Sequence, residues 1–582
     1  MSDVDLYQFT ESRAAESSDF YPEGYRPGVA RYICVTGGVM SGIGKGVFAG
    51  SLAALLGSKG VSVVPFKLEG YLNVDSGTIN PDRHGEVFVL DDGTECDLDL
   101  GSYERFLDRN LSSANFYTAG RLFSTLLARE RRGEFLGRDI QVVPHFTGQL
   151  KYILRKTALE QKAEVIIIEV GGTVGDLESG YYLEALRELA LEEGRSNVAF
   201  CHVTPVILDR KGEQKTKPTQ HSVRRLLEAG IQPDIVVLRS SEFVLDSTKQ
   251  KVALFCNVPI ANVASCVDNA SVYAVPYDLQ QQGILEVLIN RLVLHPYVRT
   301  EPTSIPWKEF VHFVANPPHD EVVIGMCAKY REDTDSYLSI IKALEHCQPK
   351  IEARIRVKWL SAEDIEKSPS FPFKDFEDID GLIVPGGFGR RGVEGKIAAI
   401  RFARTHKVPY LGICLGCQLA LIEFARTVCG LADANSTEFA KDCKDPVISL
   451  LEEQKGLASM GGTMRLGGAD VSIAMPSKAF VIYGTNHVRE RFRHRYEFDR
   501  RYEKLMSERG LVVTGTTPDN EIAQLIEISD HPFFIGTQFH PEFLSRPDRP
   551  HPLFLHLSKA AYRFSTEGRP LSLFAEESSP VR

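Results

Sequence analysis

Short apolar runs alternate with helical stretches twice over, on either side of a proline-rich stretch, and this alternation limits the folds open to the 582-residue chain. RYICVTGG reads as a buried strand, and a glycine-rich turn follows it. VFAGSLAALLGSKG then reads as a helix closed by glycine, and VSVVPFKLE as a second strand. Further apolar runs (AEVIIIEVGG, NVAFCHVTPVIL, PDIVVLRSS) alternate with helical stretches such as SGYYLEALRELALEEG. Such alternation predicts a doubly wound, parallel α/β sheet. The pattern stops in the Pro-rich residues 296–320 and restarts at Glu321 with EVVIGMCAKY, SYLSIIKALEHC, DGLIVPGG and VPYLGICLGCQLALIEFART. Two doubly wound domains are expected, 29–295 and 321–566. A polar extension (1–28), a linker (296–320) and a tail (567–582) complete the chain. Its length alone exceeds what one core can bury, and no internal repeat links the halves.

The formal net charge of −10 argues against non-specific nucleic-acid binding, which needs a basic surface. No apolar run reaches the roughly 18 residues that span a bilayer, so no membrane association is expected. The acidic, polar N-terminus lacks the features of a secretory signal. Eleven cysteines scattered along the chain make no disulfide framework. A reduced, cytoplasmic protein is the expectation.

In the second half, Gly412-Ile413-Cys414-Leu415-Gly416 has the form G-x-C-x-G between a strand and a helix, the cysteine version of a nucleophile elbow. The start of a helix favours a thiolate. Cys414 read alone fits a buried core thiol equally well, and Cys414 with Cys417 also spells a C-x-x-C redox or half-zinc pattern. Two other segments weigh on the choice. In Gly536-Thr537-Gln538-Phe539-His540-Pro541-Glu542, a base and a carboxylate stand at i and i+2, which face the same way on an extended chain. Glu542 can orient His540, which can activate Cys414. Pro385-Gly386-Gly387-Phe388-Gly389 offers bare backbone N–H groups which, with the amide of Leu415, can form an oxyanion hole. Together PGGFG, GICLGCQ and QFHPE, in that order over residues 321–566, resemble the class I triad glutamine amidotransferase family. The resemblance implies that Cys414 attacks the glutamine side-chain amide, releasing ammonia and leaving a glutamyl thioester for water to hydrolyse.

In the first half, Gly37-Gly38-Val39-Met40-Ser41-Gly42-Ile43-Gly44-Lys45-Gly46 lies between strand and helix, as a phosphate-binding loop does. A strict G-x-x-x-x-G-K-[ST] pattern fails, because one extra residue separates the glycines and Gly46 replaces the hydroxyl residue. A glycine-rich turn alone also fits a plain turn. The missing hydroxyl requires carboxylates elsewhere to hold a metal. Candidates are Glu169, at the carboxyl end of an apolar strand, and the Glu95-Cys96-Asp97-Leu98-Asp99 run, with alternate carboxylates on one face. A solvated acidic loop is the competing reading, and it fits Asp91 and Asp92 better than Glu169. Lys215-Thr216-Lys217-Pro218-Thr219-Gln220 suits a triphosphate and a base edge, or an exposed loop.

GGVMSGIGKG, HGEVFV, DLDLGSYERF, RERRGEFLG, QVVPH, EVGGTVGDLES, KTKPTQHSV and ALFCNV, joined to the amidotransferase segments, resemble the CTP synthase family from about residue 30 to 566. That resemblance implies a P-loop-like synthetase (amidoligase) domain followed by a class I glutamine amidotransferase domain. It further implies that ATP phosphorylates O4 of UTP and that ammonia from glutamine, passed through a tunnel, displaces the phosphate to give CTP. By position, Ser41, Gly42, Ile43, Gly44, Lys45, Gly46, Lys67 and Arg239 would bind ATP, and Asp99 and Glu169 would hold Mg²⁺. Ser41, Asp176, Glu178, Lys215, Lys217, Gln220 and Lys251 would meet UTP or CTP, and His84 would gate the ammonia tunnel. Gly386, Gly387, Leu415, Gln418, Glu438 and Arg495 would bind glutamine. The resemblance also implies GTP as allosteric activator, CTP as feedback inhibitor, and a homotetramer that can form filaments.

The chain departs from the family pattern in several places. Glu69-Gly70 stands where Asp-Pro is usual, Cys417 where methionine is common, and GYYLEA after GDLES where the helix usually begins with apolar residues. Two other readings compete: an amidoligase acting on a different acceptor, against which KTKPTQ speaks, and a silent structural paralogue. Intact Lys45, Asp99, Glu169, Cys414, His540 and Glu542 speak against the second.

Overall fold

The computed structural model describes residues 20–299, 307–329, 334–367, 373–450 and 464–567. It divides into two compact units, one comprising Met1–Ser76 with Ser102–Val311 and the other Gly77–Gly101 with His312–Arg582. Among the described residues, no helix is long and apolar enough to cross a membrane.

In the first unit, seven strands form an all-parallel sheet. Their order is Val263–Val267, Ile235–Ser240, Val198–Pro205, Arg31–Gly37, Val165–Val170, Val63–Glu69 and Phe116–Thr118. The apolar runs become strands because both faces are covered, as parallel sheets require. Tyr32, Ile33, Cys34 and Val35 in the central strand are fully buried, and burying an aliphatic side chain such as Ile33 or Val35 contributes about 1.5–3 kcal/mol. From Arg31–Gly37 the chain passes to Val63–Glu69 on one side, then returns through Val165–Val170 to Val198–Pro205 on the other. The order thus reverses at the central strand. Ligand crevices of open α/β sheets lie at such a reversal, outside the carboxyl ends of the strands.

Two parts of this unit differ from the sequence expectation. Of the polar extension, residues 1–19 lie outside the described residues, but 20–28 pack on the unit rather than hanging free. Tyr25 is buried and donates to Glu193 at 2.9 Å, and the Arg155 guanidinium lies 3.9 Å from the Tyr21 ring centroid. Of the linker, residues 300–306 lie outside the described residues, and Lys308–Ala315 is a helix. Trp307 is buried, donates to the Tyr273 carbonyl at 3.0 Å and packs against Phe106. In both segments isolated aromatic residues find a core, a gain that local periodicity does not reveal.

The second unit holds a nine-stranded sheet. Five parallel strands come first, in the order Arg354–Ser361, Glu321–Ala328, Gly381–Val384, Tyr410–Ile413 and Phe534–Thr537. The antiparallel strands Ala523–Ile528, Leu511–Thr516, Arg465–Ile473 and His487–His494 then extend the sheet. Helices Leu338–Ile351 and Pro552–Thr566 bury residues in the core that holds Ile324 and Ile383. Helices Val393–Thr405 and Leu415–Thr427 bury theirs in the core that holds Leu382 and Val384. Adjacent positions of the same strands face opposite ways, so the parallel portion is doubly wound.

Residues 77–101 fall inside the sequence boundary of 29–295, yet they pack with this second unit. The hairpin Phe88–Val89 with Glu95–Cys96 sets the Phe88 ring 4.8 Å from that of Phe543. Glu95 pairs with Arg493 at 2.8 Å, Asp91 pairs with Arg489 at 2.9 Å, and the Glu86 carboxylate accepts from the Ser339 amide. Charges and an aromatic distant in sequence are satisfied here, and no local pattern encodes that. The tail beyond residue 567 lies outside the described residues.

Candidate active site

Cys414 stands between strand Tyr410–Ile413 and helix Leu415–Thr427 with φ 49° and ψ −101°. For a residue with a Cβ this is strain of order 1–3 kcal/mol, held by the flanking packing. A Cβ on Gly416 would come within 2.0 Å of the Val384 carbonyl oxygen, and one on Gly412 within 2.8 Å of the Gly416 backbone. Both glycines are therefore demanded by close backbone approach, and the thiol is fixed above the sheet. Its backbone N–H donates to the Thr537 carbonyl at 2.7 Å, its Sγ lies 3.6 Å from the Arg493 carbonyl oxygen, and the Gln538 side-chain amide donates to Sγ at 3.6 Å.

His540 Nδ1 and Glu542 Oε1 are 2.7 Å apart. The pairing expected from i and i+2 is present, but its backbone is not a strand. Strand Phe534–Thr537 has already ended, and Pro541–Leu544 is a 3₁₀ turn that brings the carboxylate back onto the ring. The ring stacks on Phe543 with 5.1 Å between centroids. Burial disfavours the imidazolium, but the Glu542 carboxylate and Cys414 outweigh it and raise the His540 pKa to about 10. Nε2 is buried and has no hydrogen-bond partner among the described residues. A Cβ on Gly386 would sit 3.0 Å from the His540 ring and 3.6 Å from the Cys414 Cβ, so base, nucleophile and glycine loop meet at one point. A cavity of about 260 Å³ opens there, lined by Cys414, His540, Gly386 and Gly387, and also by Pro81, Glu86 and Val87.

The expected glutamine residues lie around this point. Gln418 donates to the Tyr496 carbonyl at 2.9 Å and to Gln538 at 3.1 Å. Glu438 accepts the Gly389 N–H at 2.6 Å, and burial raises its pKa against the opposing pull of that N–H, Lys329 and Arg495. Cys417 is buried, and its thiol pKa is pushed up by burial. Its Sγ lies 3.0 Å from where a Cβ on Gly536 would stand, so it packs against strand Phe534–Thr537.

In the first unit the glycine-rich loop leads into helix Lys45–Ser58 through Gly44 at φ 89°. Ser41 and Gly42 are exposed, and Ile43, Lys45 and Gly46 are buried. Lys45 Nζ donates to the Gly172 carbonyl at 2.9 Å. Lys67 and Glu169 are register partners on adjacent strands and form an ion pair at 2.8 Å, with both side chains almost fully buried. The other Glu169 oxygen accepts from the Tyr103 hydroxyl. Glu69 also reaches Lys67, at 3.1 Å. A Cβ on Gly171 would be 2.6 Å from the Glu69 carboxylate, so that glycine makes room for the longer acid. Two tyrosines of helix Leu177–Glu192 reach the backbone at this departure: Tyr182 donates to the Glu69 carbonyl at 2.8 Å and Tyr181 to that of Gly70 at 3.4 Å.

Arg239 packs against Gly44 and donates to the Cys266 and Val267 carbonyls, each at 3.0 Å. Beside it lies a cavity of about 120 Å³ lined by Gly44, Val267, Asp268 and Asn269. Asp176 caps its own turn by accepting from Thr173, and Glu178 lies exposed in the first turn of helix Leu177–Glu192. Lys215 pairs with Asp209 and Glu213 at 3.1 and 2.6 Å. Lys217 and buried Gln220 sit in the first turn of helix Lys217–Glu228, and Lys251 is exposed on helix Asp246–Cys256.

The alternate-carboxylate expectation for Glu95, Asp97 and Asp99 fails, because the strand ends at Cys96 and a helix starts at Leu98. Glu95 is buried against Arg493, whereas Asp97 accepts the Asp99 N–H at 3.0 Å, as a helix cap does. Asp99 lies in the first turn of helix Leu98–Leu107, and His84 is exposed at the end of helix Pro81–His84. Among the described residues, no group of three or more His, Cys, Asp or Glu side chains is placed to hold a metal ion.

Sequence reasoning missed Tyr103, Gln538, Arg493, Lys329 and the Cys266–Asn269 wall. Lys396 left one signal, because it interrupts the apolar positions Val393, Ile397 and Ile400 at helical spacing.

The model of the CTP synthase N-terminus matches residues 31–294, and that of class-I glutamine amidotransferases matches 334–560. The chain is 48% identical over 527 residues to the CTP synthase of Carboxydothermus hydrogenoformans, covering 90% of this chain and 97% of that one. It is 47% identical over 533 residues to the CTP synthase of Caldanaerobacter subterraneus, covering 91% and 98%. The Trypanosoma brucei CTPS glutaminase domain solved with bound acivicin is 37% identical, with a TM-score of 0.39, 42% of this chain and 94% of that chain being covered. With matches to both halves and near-complete coverage of its relatives, the chain belongs to the CTP synthase family.

Proposed function

We propose how this glutamine-hydrolysing, CTP-forming ligase divides its chemistry between its two units. Cys414 attacks the glutamine side-chain amide, and His540 takes the thiol proton and delivers it to the departing ammonia. The amides of the Gly386–Gly387 loop and of Leu415 receive the oxyanion. Water, deprotonated by the same imidazole, hydrolyses the glutamyl thioester. Gln418, Glu438 and Arg495 hold the substrate. The observation that carries this reading is the convergence of the His540 ring and the Cys414 Cβ on Gly386, with His540 held by Glu542 at 2.7 Å.

In the first unit, Lys45 and the loop Ser41–Gly46 cradle ATP, and the wall beside Arg239 takes its nucleoside. Lys67 contacts the phosphates. Lys215, Lys217, Gln220 and Lys251 hold UTP, with Asp176 and Glu178 close to the uridine nucleotide or to CTP. O4 of UTP takes the γ-phosphoryl group of ATP, releasing ADP, and ammonia then adds at C4 as phosphate leaves. Glu169 would hold Mg²⁺, and on family grounds Asp99 is a further candidate ligand; a hard carboxylate oxygen fits an ion that takes its remaining ligands from phosphates and water. When bound, that ion supplies neutralisation of phosphate charge. Ammonia passes from the Cys414 cavity through a channel gated by His84, a reading supported by Pro81, Glu86 and Val87 in that cavity's wall. GTP activation, CTP feedback, a filament-forming homotetramer and a cytoplasmic setting complete the proposal on family grounds.

The test follows CTP formation from UTP and ATP with glutamine and, separately, with ammonia. Cys414→Ala is expected to lose glutamine-driven synthesis by roughly three orders of magnitude or more and to keep ammonia-driven synthesis. Loss of both would overturn the division of labour.

A further inference from the structure

The loop that borders the Cys414 site is held by two lysines on which the proposed mechanism does not call. Lys329 Nζ donates to the carbonyls of Phe388 and Gly389 at 2.5 and 2.6 Å. From the core side, Lys396 Nζ donates to the Pro385 carbonyl at 3.1 Å. Lys396 is fully buried on helix Val393–Thr405, and this contact is the one hydrogen bond its amine makes among the described residues. Burial and the neighbouring Lys329 pull its pKa down to about 7. Leucine or methionine would fill the same place among Val393, Ile397 and Ile400 without desolvating an amine. Its position is explained by what it grips, because Pro385 lies one residue past strand Gly381–Val384 and its carbonyl has left the strand ladder.

A trans peptide is planar and sets N–H opposite C=O. With the Pro385 carbonyl turned to Lys396, the Gly386 N–H points away from it. Gly386 is the residue whose missing Cβ leaves room for the His540 ring and Cys414. We infer that Lys396 is a positioning residue for glutamine hydrolysis, holding the Pro385–Gly386 peptide so that the loop amides are preset for the oxyanion. Either protonation state of the amine can donate this bond. The inference rests on the reading of Cys414 as the nucleophile.

The experiment compares wild type, Lys396→Met, Lys396→Gln and Cys414→Ala in glutaminase and ammonia-driven assays, each with a thermal melt. Methionine keeps the bulk and removes the donor; glutamine restores a neutral donor. Preset amides act on the transition state, so Lys396→Met is expected to lower kcat for glutamine by roughly 10- to 100-fold, with KM within about twofold. Ammonia-driven synthesis should be unchanged, and Lys396→Gln should recover part of kcat. A methionine variant within twofold of wild-type kcat, or an equal fall in ammonia-driven synthesis, would overturn the inference. If the methionine variant does not fold, Lys396→Gln decides: reduced kcat at unchanged KM supports the inference, and wild-type kcat overturns it. Glutamine-driven synthesis surviving Cys414→Ala would instead overturn the reading of the site, whatever Lys396 does.

Discussion

The Cys414 region and the Lys45–Glu169 region spend their polar groups in opposite ways. Around Cys414 the decisive atoms are held ready and left open: His540 is oriented by Glu542, while its Nε2 has no hydrogen-bond partner among the described residues. Around Glu169 the decisive groups are occupied by one another. Lys67 pairs with Glu169 and Glu69, Tyr103 donates to Glu169, and Lys45 binds a backbone carbonyl. A site for the glutamine side-chain amide gains from preset neutral donors, whereas polyphosphates bring the counter-charge for their cations with them. On the proposed assignment of this region to polyphosphate, its buried cations and carboxylates would be costly unless paired in the ligand's absence, and the internal pairs would serve that purpose.

The comparison can be broken at its most preorganised point. Glu542→Gln keeps the shape but removes the charge that orients and charges His540, so glutaminase kcat should fall by roughly 10²–10⁴, with ammonia-driven synthesis intact. A fall below tenfold would mean that Glu542 only packs. Glu169→Gln addresses the other region. Synthesis from either nitrogen source should drop about 100-fold, and basal glutaminase should remain; normal ammonia-driven turnover would remove Glu169 from the reaction.

A smaller effect sharpens the contrast through pH. The Lys396 pKa is depressed to about 7 in the folded chain, against an ordinary value near 10.4 in the unfolded one. Between those values the unfolded state binds a proton that the native state lacks, so stability rises with pH. Below about 7 both states are protonated and the full cost of burial is felt. The stability of wild type relative to Lys396→Met should therefore climb between pH 7 and 10 by at most about 1.4 kcal/mol per unit, as read from denaturant melts. A flat difference would show that Lys396 does not titrate in this window.

Much of each site was legible because its code is local. Gly412, Cys414 and Gly416 lie within five residues; the clearance that demands Gly412 is set by the turn itself, whereas that at Gly416 is set by the Val384 carbonyl of the neighbouring strand. His540 and Glu542 meet as expected, though by a 3₁₀ turn after Pro541 instead of strand alternation. The acidic run at Glu95–Asp99 misled because its period of two looks like a strand, while a helix begins at Leu98 and Glu95 is taken by an arginine 398 residues away.

By itself, the sequence determined two α/β halves, the glycine-rich turns at their strand ends and the residue types able to carry the chemistry. These follow from periodicity and short-range sterics, which act within a few residues. Tertiary structure alone decided that residues 77–101 pack with the C-terminal unit, that Tyr103 and Lys67 share Glu169, and that Lys396 grips the Pro385 carbonyl. Those pairings depend on strand order and on which buried polar group lacks a nearer partner. That is a long-range balance of desolvation against hydrogen bonding, and no window of sequence contains both of its sides.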